Sequence, residues 1–153
     1  MHRLHTVGYE AATIAAVVES LREAGVDLLV DVRAVASSRR PGFAKTKLAA
    51  NLEAAGIEYR HVRVLGTPAD GRAAARAGRH AEMQRIFGEH LATLDAQSAL
   101  HDVAEWIGDG RRLCLLCFEA DPAHCHRALV AAALAERLPL DVVHLRPVTH
   151  PKE

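Results

Sequence analysis

Two stretches of the chain are apolar without alternation. Val26 to Val32 reads VDLLVDV, and Arg112 to Phe118 reads RLCLLCF. A strand with one wet face alternates apolar and polar residues. A continuous run belongs to a strand covered on both faces, which is the usual state of parallel strands. Parallel neighbours need long crossover connections, so helices must separate the strands. The intervening sequence supplies them. Thr13 to Ala24 places Ile14, Val17, Val18 and Leu21 on one helical face, and Gly25 stops the helix. Lys45 to Ala55 carries Leu48 and Leu52 at i, i+4 spacing and closes at Gly56. Residues 80–107 read as two helical pieces broken near Asp95–Ser98. Asp121-Pro122 is an N-cap followed by Pro at the first helical position, opening a helix to about Leu138 that Pro139 ends. Further strands are predicted at Leu4–Gly8, Ile57–Val64 and Val142–Leu145. Residues 34–44 read as a loop, and residues 65–79 as a mobile loop with room for a short helix.

The alternation predicts a three-layer, Rossmann-like α/β fold with a mainly parallel sheet of about five strands. At 153 residues, one domain over 1–153 is expected, with a short tail from about residue 147. Half of the residues are hydrophobic, enough for a packed core. No apolar run is long enough to cross a membrane, and Met1–Leu4 begins no apolar leader, so neither a membrane span nor a signal peptide is expected. Three cysteines, Cys114, Cys117 and Cys125, are an odd count and are read as free thiols of a cytoplasmic protein. The 19 cations balance 19 anions, which argues against a broad charge-driven grip on DNA. Three of those cations are Lys, so 16 are Arg. An aromatic content of 4% offers no obvious stacking platform for single strands.

Ligands of open α/β sheets bind beyond the carboxyl ends of the strands. The chemistry-bearing residues fall there. The first strand ends in Tyr9, and the second delivers Asp31 and Arg33, followed by Ser38, Arg39, Arg40 and Phe43. The third brings Tyr59 and His61; the fourth brings Cys117 and Glu119 and runs into Cys125-His126-Arg127. Cys125 is expected in the first turn of its helix, where exposed amides lower a thiol pKa. It is read as a nucleophile, or the same turn and Arg127 as an anion site, or as an inert buried thiol. Asp31 within an apolar strand needs a partner, and Arg33 lies on the same face at i+2. That pair is either structural or an acid/base and an anion clamp. Cys117, Cys125 and His126, with Glu119 or His61, could supply four zinc ligands. The spacing is not the paired C-x-x-C type and no H-E-x-x-H occurs, so neither metal nor cofactor is expected.

Taken in order, these residues resemble a known family. Its carriers are Val7-Gly8-Tyr9, Leu29-Val30-Asp31-Val32-Arg33, Ser37-Ser38-Arg39-Arg40-Pro41-Gly42-Phe43 and Gly56-Ile57-Glu58-Tyr59-Arg60-His61. Leu65-Gly66, Cys117-Phe118-Glu119 and Cys125-His126-Arg127 complete the set. The chain resembles the family catalogued as domain of unknown function 488 along about residues 4–135. Ala36 stands in a region where the family often has Pro, and Thr67 where a second Gly is common. The resemblance implies an α/β domain with an active site of Asp, Arg, Glu, Cys and His, and no settled activity. A likeness of Asp-Val-Arg to a rhodanese strand end is not joined by a C-x-x-x-x-R loop.

The expected function is an enzyme acting on an anionic, phosphate-bearing substrate such as a nucleotide or nucleic acid. Asp31, Glu119, Cys117 and Cys125 are the expected catalytic residues. Arg33, Ser38, Arg39, Arg40, Phe43, Tyr9, His61, His126 and Arg127 are the expected substrate-binding ones. A non-catalytic nucleotide or nucleic-acid binding module and a metal-assisted hydrolase are the alternatives.

Overall fold

The computed structural model describes residues 1–147. Five parallel strands form one sheet: β1 (His2–Gly8), β2 (Leu28–Asp31), β3 (Glu58–His61), β4 (Leu113–Cys117) and β5 (Leu140–His144), in the order β3-β2-β4-β1-β5. The helices are α1 (Ile14–Glu23), α2 (Lys45–Ala54), α3 (Ala69–Arg76), α4 (His80–Leu91), α5 (Leu94–Gly108) and α6 (His126–Ala135). The two apolar runs become β2 and β4, the neighbours at the centre of the sheet, both fully buried.

Strand alternation divides the core into two layers. Val7, Leu29, Cys114 and Leu116 pack with Val17 and Leu21 of α1 and Leu48 and Leu52 of α2. Leu4, Val30, Leu115 and Cys117 pack on the other face with Phe87, Leu100, Val103, Val130 and Leu134 of α4, α5 and α6. The result is a three-layer α/β fold. No helix among the described residues is long and apolar enough to cross a membrane.

Three local expectations differ. The third strand stops at His61 and gives way to a 3-10 turn over Arg63–Leu65. It is an edge strand whose one partner, β2, ends at Asp31, and the last bond of the pair runs from the Val62 amide to the Asp31 carbonyl. The helical break falls at Thr93, whose side chain accepts from the Ala96 amide and caps α5, upstream of the expected Asp95–Ser98. Asp121 caps only a 3-10 turn, Pro122–His124. Cys125 is extended (φ −125°, ψ 142°), and α6 starts at His126 and ends at Ala135. Cys125 is therefore the N-cap and not a first-turn residue. The expected C-terminal tail lies almost wholly outside the described residues.

β1 and β4 lie side by side, yet the chain leaves them in opposite directions, toward β2 from one and β5 from the other. A crevice opens where such connections diverge.

Candidate functional site

A cavity of about 460 Å³ occupies that crevice, bordered by residues from the ends of β1, β2 and β4, from α3 and from the start of α6. The β1–β4 pairing continues past both strands: the amides of Tyr9 and Glu10 donate to the carbonyls of Cys117 and Phe118. Glu119 then turns back across Gly8 so closely that a Cβ on Gly8 would sit 1.7 Å from the Glu119 carbonyl oxygen. Only glycine admits this crossing. The wholly buried Arg127 fixes the turn from below, donating to Thr6 Oγ1 and to the carbonyls of Glu119 and Ala120.

Cys117 is the last residue of β4 and faces the α4–α6 layer. There its Sγ lies 3.4 Å from Nδ1 of His126 and 4.0 Å from a carboxylate oxygen of Glu119. Nε2 of His126 is 2.7 Å from the Val32 carbonyl. A carbonyl only accepts, so Nε2 carries the proton and Nδ1 is left to receive one from a thiol. The edge of the imidazole against the Phe87 ring completes its seat. The sulfur of Cys125 belongs to the same group: both sulfurs and a His126 nitrogen lie within 4.8 Å of one another.

The cluster polarises its members. Burial raises the Cys125 thiol, but the neighbouring Cys117 and His126 groups and the charges of His126 and Arg127 outweigh it and hold Cys125 well below an ordinary thiol. Cys117 is held well above one by the neighbouring Cys125 thiol, by burial and by the negative charge of Cys125 and Glu119. His126 is raised: burial opposes its charge, and the Cys125 contact more than compensates. Burial, then the charge of Cys125, pushes the Glu119 carboxyl up to about 7. Cys114 lies on the opposite face of β4, where burial pushes its thiol up.

The family profile described as Domain of unknown function DUF488 matches residues 13–134, a span that contains β2, β4 and the thiol cluster. The chain belongs to the DUF488 family. No curated protein and no solved structure matches it.

In this DUF488 chain the expected site residues divide into three groups. Tyr9, Arg33, Cys117, Glu119 and His126 border the cavity, and Cys125 stands directly behind Cys117. A second group builds the walls. Asp31 is wholly buried on the α1–α2 side of the sheet, across from the thiols, and accepts from Arg33 Nε and Nη2, the Arg33 amide and the Tyr59 hydroxyl. Those four donors occupy the carboxylate, so Asp31 is not placed to move a proton. Burial works against the Arg33 charge, but Asp31 and Tyr9 hold it firmly protonated. Arg33 also donates to the Phe43 carbonyl, while Phe43 stacks on Tyr9. His61 bonds the Arg33 carbonyl. Arg127 donates to Thr6 and to the two carbonyls of the Glu119 turn and does not border the cavity. The third group lies outside the cavity: Ser38 accepts from the Arg40 amide, Arg40 donates to the Ala12 carbonyl, and Arg39 is exposed.

Residues absent from the sequence-based set complete the rim. Arg72 and Arg76 project from α3, His124 from the 3-10 turn, and Glu10 and Thr67 from loops; Val35 and Phe118 form an exposed apolar lip. Arg72 and Arg76 are i, i+4 neighbours, and neither joins an ion pair among the described residues. The short helix for which residues 65–79 left room is α3, and its two arginines were not among the expected site residues. Cys117, Cys125 and His126 also offer two sulfurs and a nitrogen close enough to serve one metal ion.

Proposed function

We propose that the protein is a cysteine-dependent enzyme acting on a small, phosphate-bearing substrate such as a nucleotide. One observation carries the reading: Cys117 borders the cavity with Nδ1 of His126 at 3.4 Å, and the Val32 carbonyl fixes the imidazole tautomer. Nucleophile, base and orienting group follow the pattern of an activated thiol. Cys117 attacks after its proton passes to the Cys125–His126 pair. Glu119, with its carboxyl at about 7, is the proton donor to the leaving group. Arg72 and Arg76 hold the anion, since a guanidinium with free donors matches a phosphate. Asp31 and Arg127 are positioning residues. Three free thiols support a reducing, cytoplasmic setting.

The test is alkylation by iodoacetamide near neutral pH, read by peptide mass. Expected is modification of Cys117 or Cys125 faster than free cysteine, at least tenfold slower in His126→Ala, with protection by a nucleoside monophosphate. Inert thiols in the folded protein overturn the nucleophile assignment.

The same three ligand atoms favour one rival, a metal-centred hydrolase. Elemental analysis of untagged protein separates the two. One zinc per chain removes the nucleophile and leaves the anion site.

A further inference from the structure

We propose that Cys117 and Cys125 are a peroxide-oxidised pair that closes into a reversible disulfide and switches the cavity off. The inference rests on the thiol reading of the site and adds its regulation.

The two residues occupy different positions with respect to solvent. Cys117 is 6% exposed and borders the cavity, whereas Cys125 is 2% exposed and does not. A small oxidant entering the cavity meets Cys117 first. The second sulfur waits within 4.8 Å, a gap that side-chain rotation can close. The seven residues between them include no helix longer than the Pro122–His124 turn. Cys114 is the built-in control, wholly buried on the other face of the same strand.

The chemistry balances with hydrogen peroxide as the oxidant. Cys117 attacks one peroxide oxygen as its proton passes to Nδ1 of His126; the S–O bond forms, the O–O bond breaks, and the leaving hydroxide takes that proton and departs as water. The product is a sulfenic acid on Cys117. Cys125 attacks that sulfur; the S–S bond forms, the S–O bond breaks, and the leaving hydroxide takes the Cys125 proton and departs as a second water. Two thiols lose two electrons in all, and one peroxide becomes two waters. An external dithiol reverses the reaction by exchange.

A disulfide here removes the nucleophile and the proton acceptor together. It also ties the ends of the segment that carries Phe118, Glu119 and His124, three of the cavity's borders.

The experiment treats the reduced full chain with a few equivalents of hydrogen peroxide, blocks free thiols with N-ethylmaleimide, and maps peptides without reduction. Expected is one intramolecular Cys117–Cys125 link, lost on adding dithiothreitol, with Cys114 left as a thiol. In Cys125→Ser, dimedone traps a sulfenic acid on Cys117 instead. A fully thiol product, a link through Cys114, or only intermolecular links overturns the proposal. Iodoacetamide reactivity without a peroxide-induced link defeats the switch and keeps the thiol enzyme. A link formed by thiols that iodoacetamide does not touch defeats the enzyme reading and keeps the switch.

Discussion

The residues of the site carry charges whose placement sets measurable pH behaviour. Glu119 titrates at about 7 when folded and, like an ordinary Glu, at about 4.3 when unfolded. The folded chain therefore binds the proton more tightly, and stability must fall with rising pH between those two values. It is fully present below the lower value and lost by the upper one. Glu119→Gln, which stays neutral, removes that decline. Urea midpoints at pH 5 and pH 8 should differ more in the wild type than in the variant; equal slopes would place Glu119 in water. Asp31 shows the opposite design, a charge kept by saturation with donors. Its bond to Arg33 is 2.7 Å long and both groups are buried. Asp31→Ala leaves a buried guanidinium without its partner, a loss of about 3–5 kcal/mol. Tyr59→Phe removes one hydrogen bond to the same carboxylate, about 1.5–3 kcal/mol. The exposed pair Arg85–Glu89 is the comparison, worth less than about 1 kcal/mol. Urea denaturation ranks the three, and an Asp31→Ala loss no larger than that of Glu89→Ala would contradict the buried network.

Elements bring these residues together, and the connection from β4 to α6 does most of that work. It crosses Gly8, is clamped by Arg127, and delivers Cys117, Glu119, Cys125 and His126 within ten residues of chain. Gly8→Ala should displace the Glu119 backbone, cost about 1–3 kcal/mol as overpacking does, and slow Cys117 alkylation. Unchanged stability and reactivity would mean the crossing is loose. Most of this was legible in sequence. Unalternating apolar runs mark buried parallel strands, and they place Cys117 and Arg33 at the cavity by their position at strand ends. What was not legible depends on which face a side chain takes and on what it finds there. Asp31 and Cys117 end neighbouring strands but point to opposite layers, and strand ends alone do not reveal this. Arg127 sits beside His126 in sequence, yet only the fold shows that carbonyls consume its donors. Arg72 and Arg76 escaped notice although a short helix was allowed there, because nothing in the sequence says that α3 packs at the edge of the crevice.

At the scale of the molecule, a net charge of zero hides an uneven distribution. Most arginines with a partner are spent on it: Arg3 on Asp141, Arg79 on Glu82, Arg111 on Asp27 and Glu58. Arg72 and Arg76 border the cavity, where a phosphate would meet both. On the proposed reading, two arginines at the border of a crevice suit a small phosphate-bearing ligand better than a polymer. A nucleoside monophosphate should therefore raise the thermal midpoint, by the linkage that any ligand of the native state exerts. Duplex DNA should fail to bind at an ionic strength of about 0.15 M, because each phosphate neutralised by a long basic surface adds to a salt slope this protein cannot generate. Arg72→Ala and Arg76→Ala each remove a charge-assisted bond worth about 1.5–3 kcal/mol, so each should weaken the monophosphate about tenfold or more. The measurement is the midpoint shift against ligand concentration at two salt concentrations. If DNA binds with a steep salt slope and the monophosphate does not bind, the crevice is not the phosphate site and the net charge has misled.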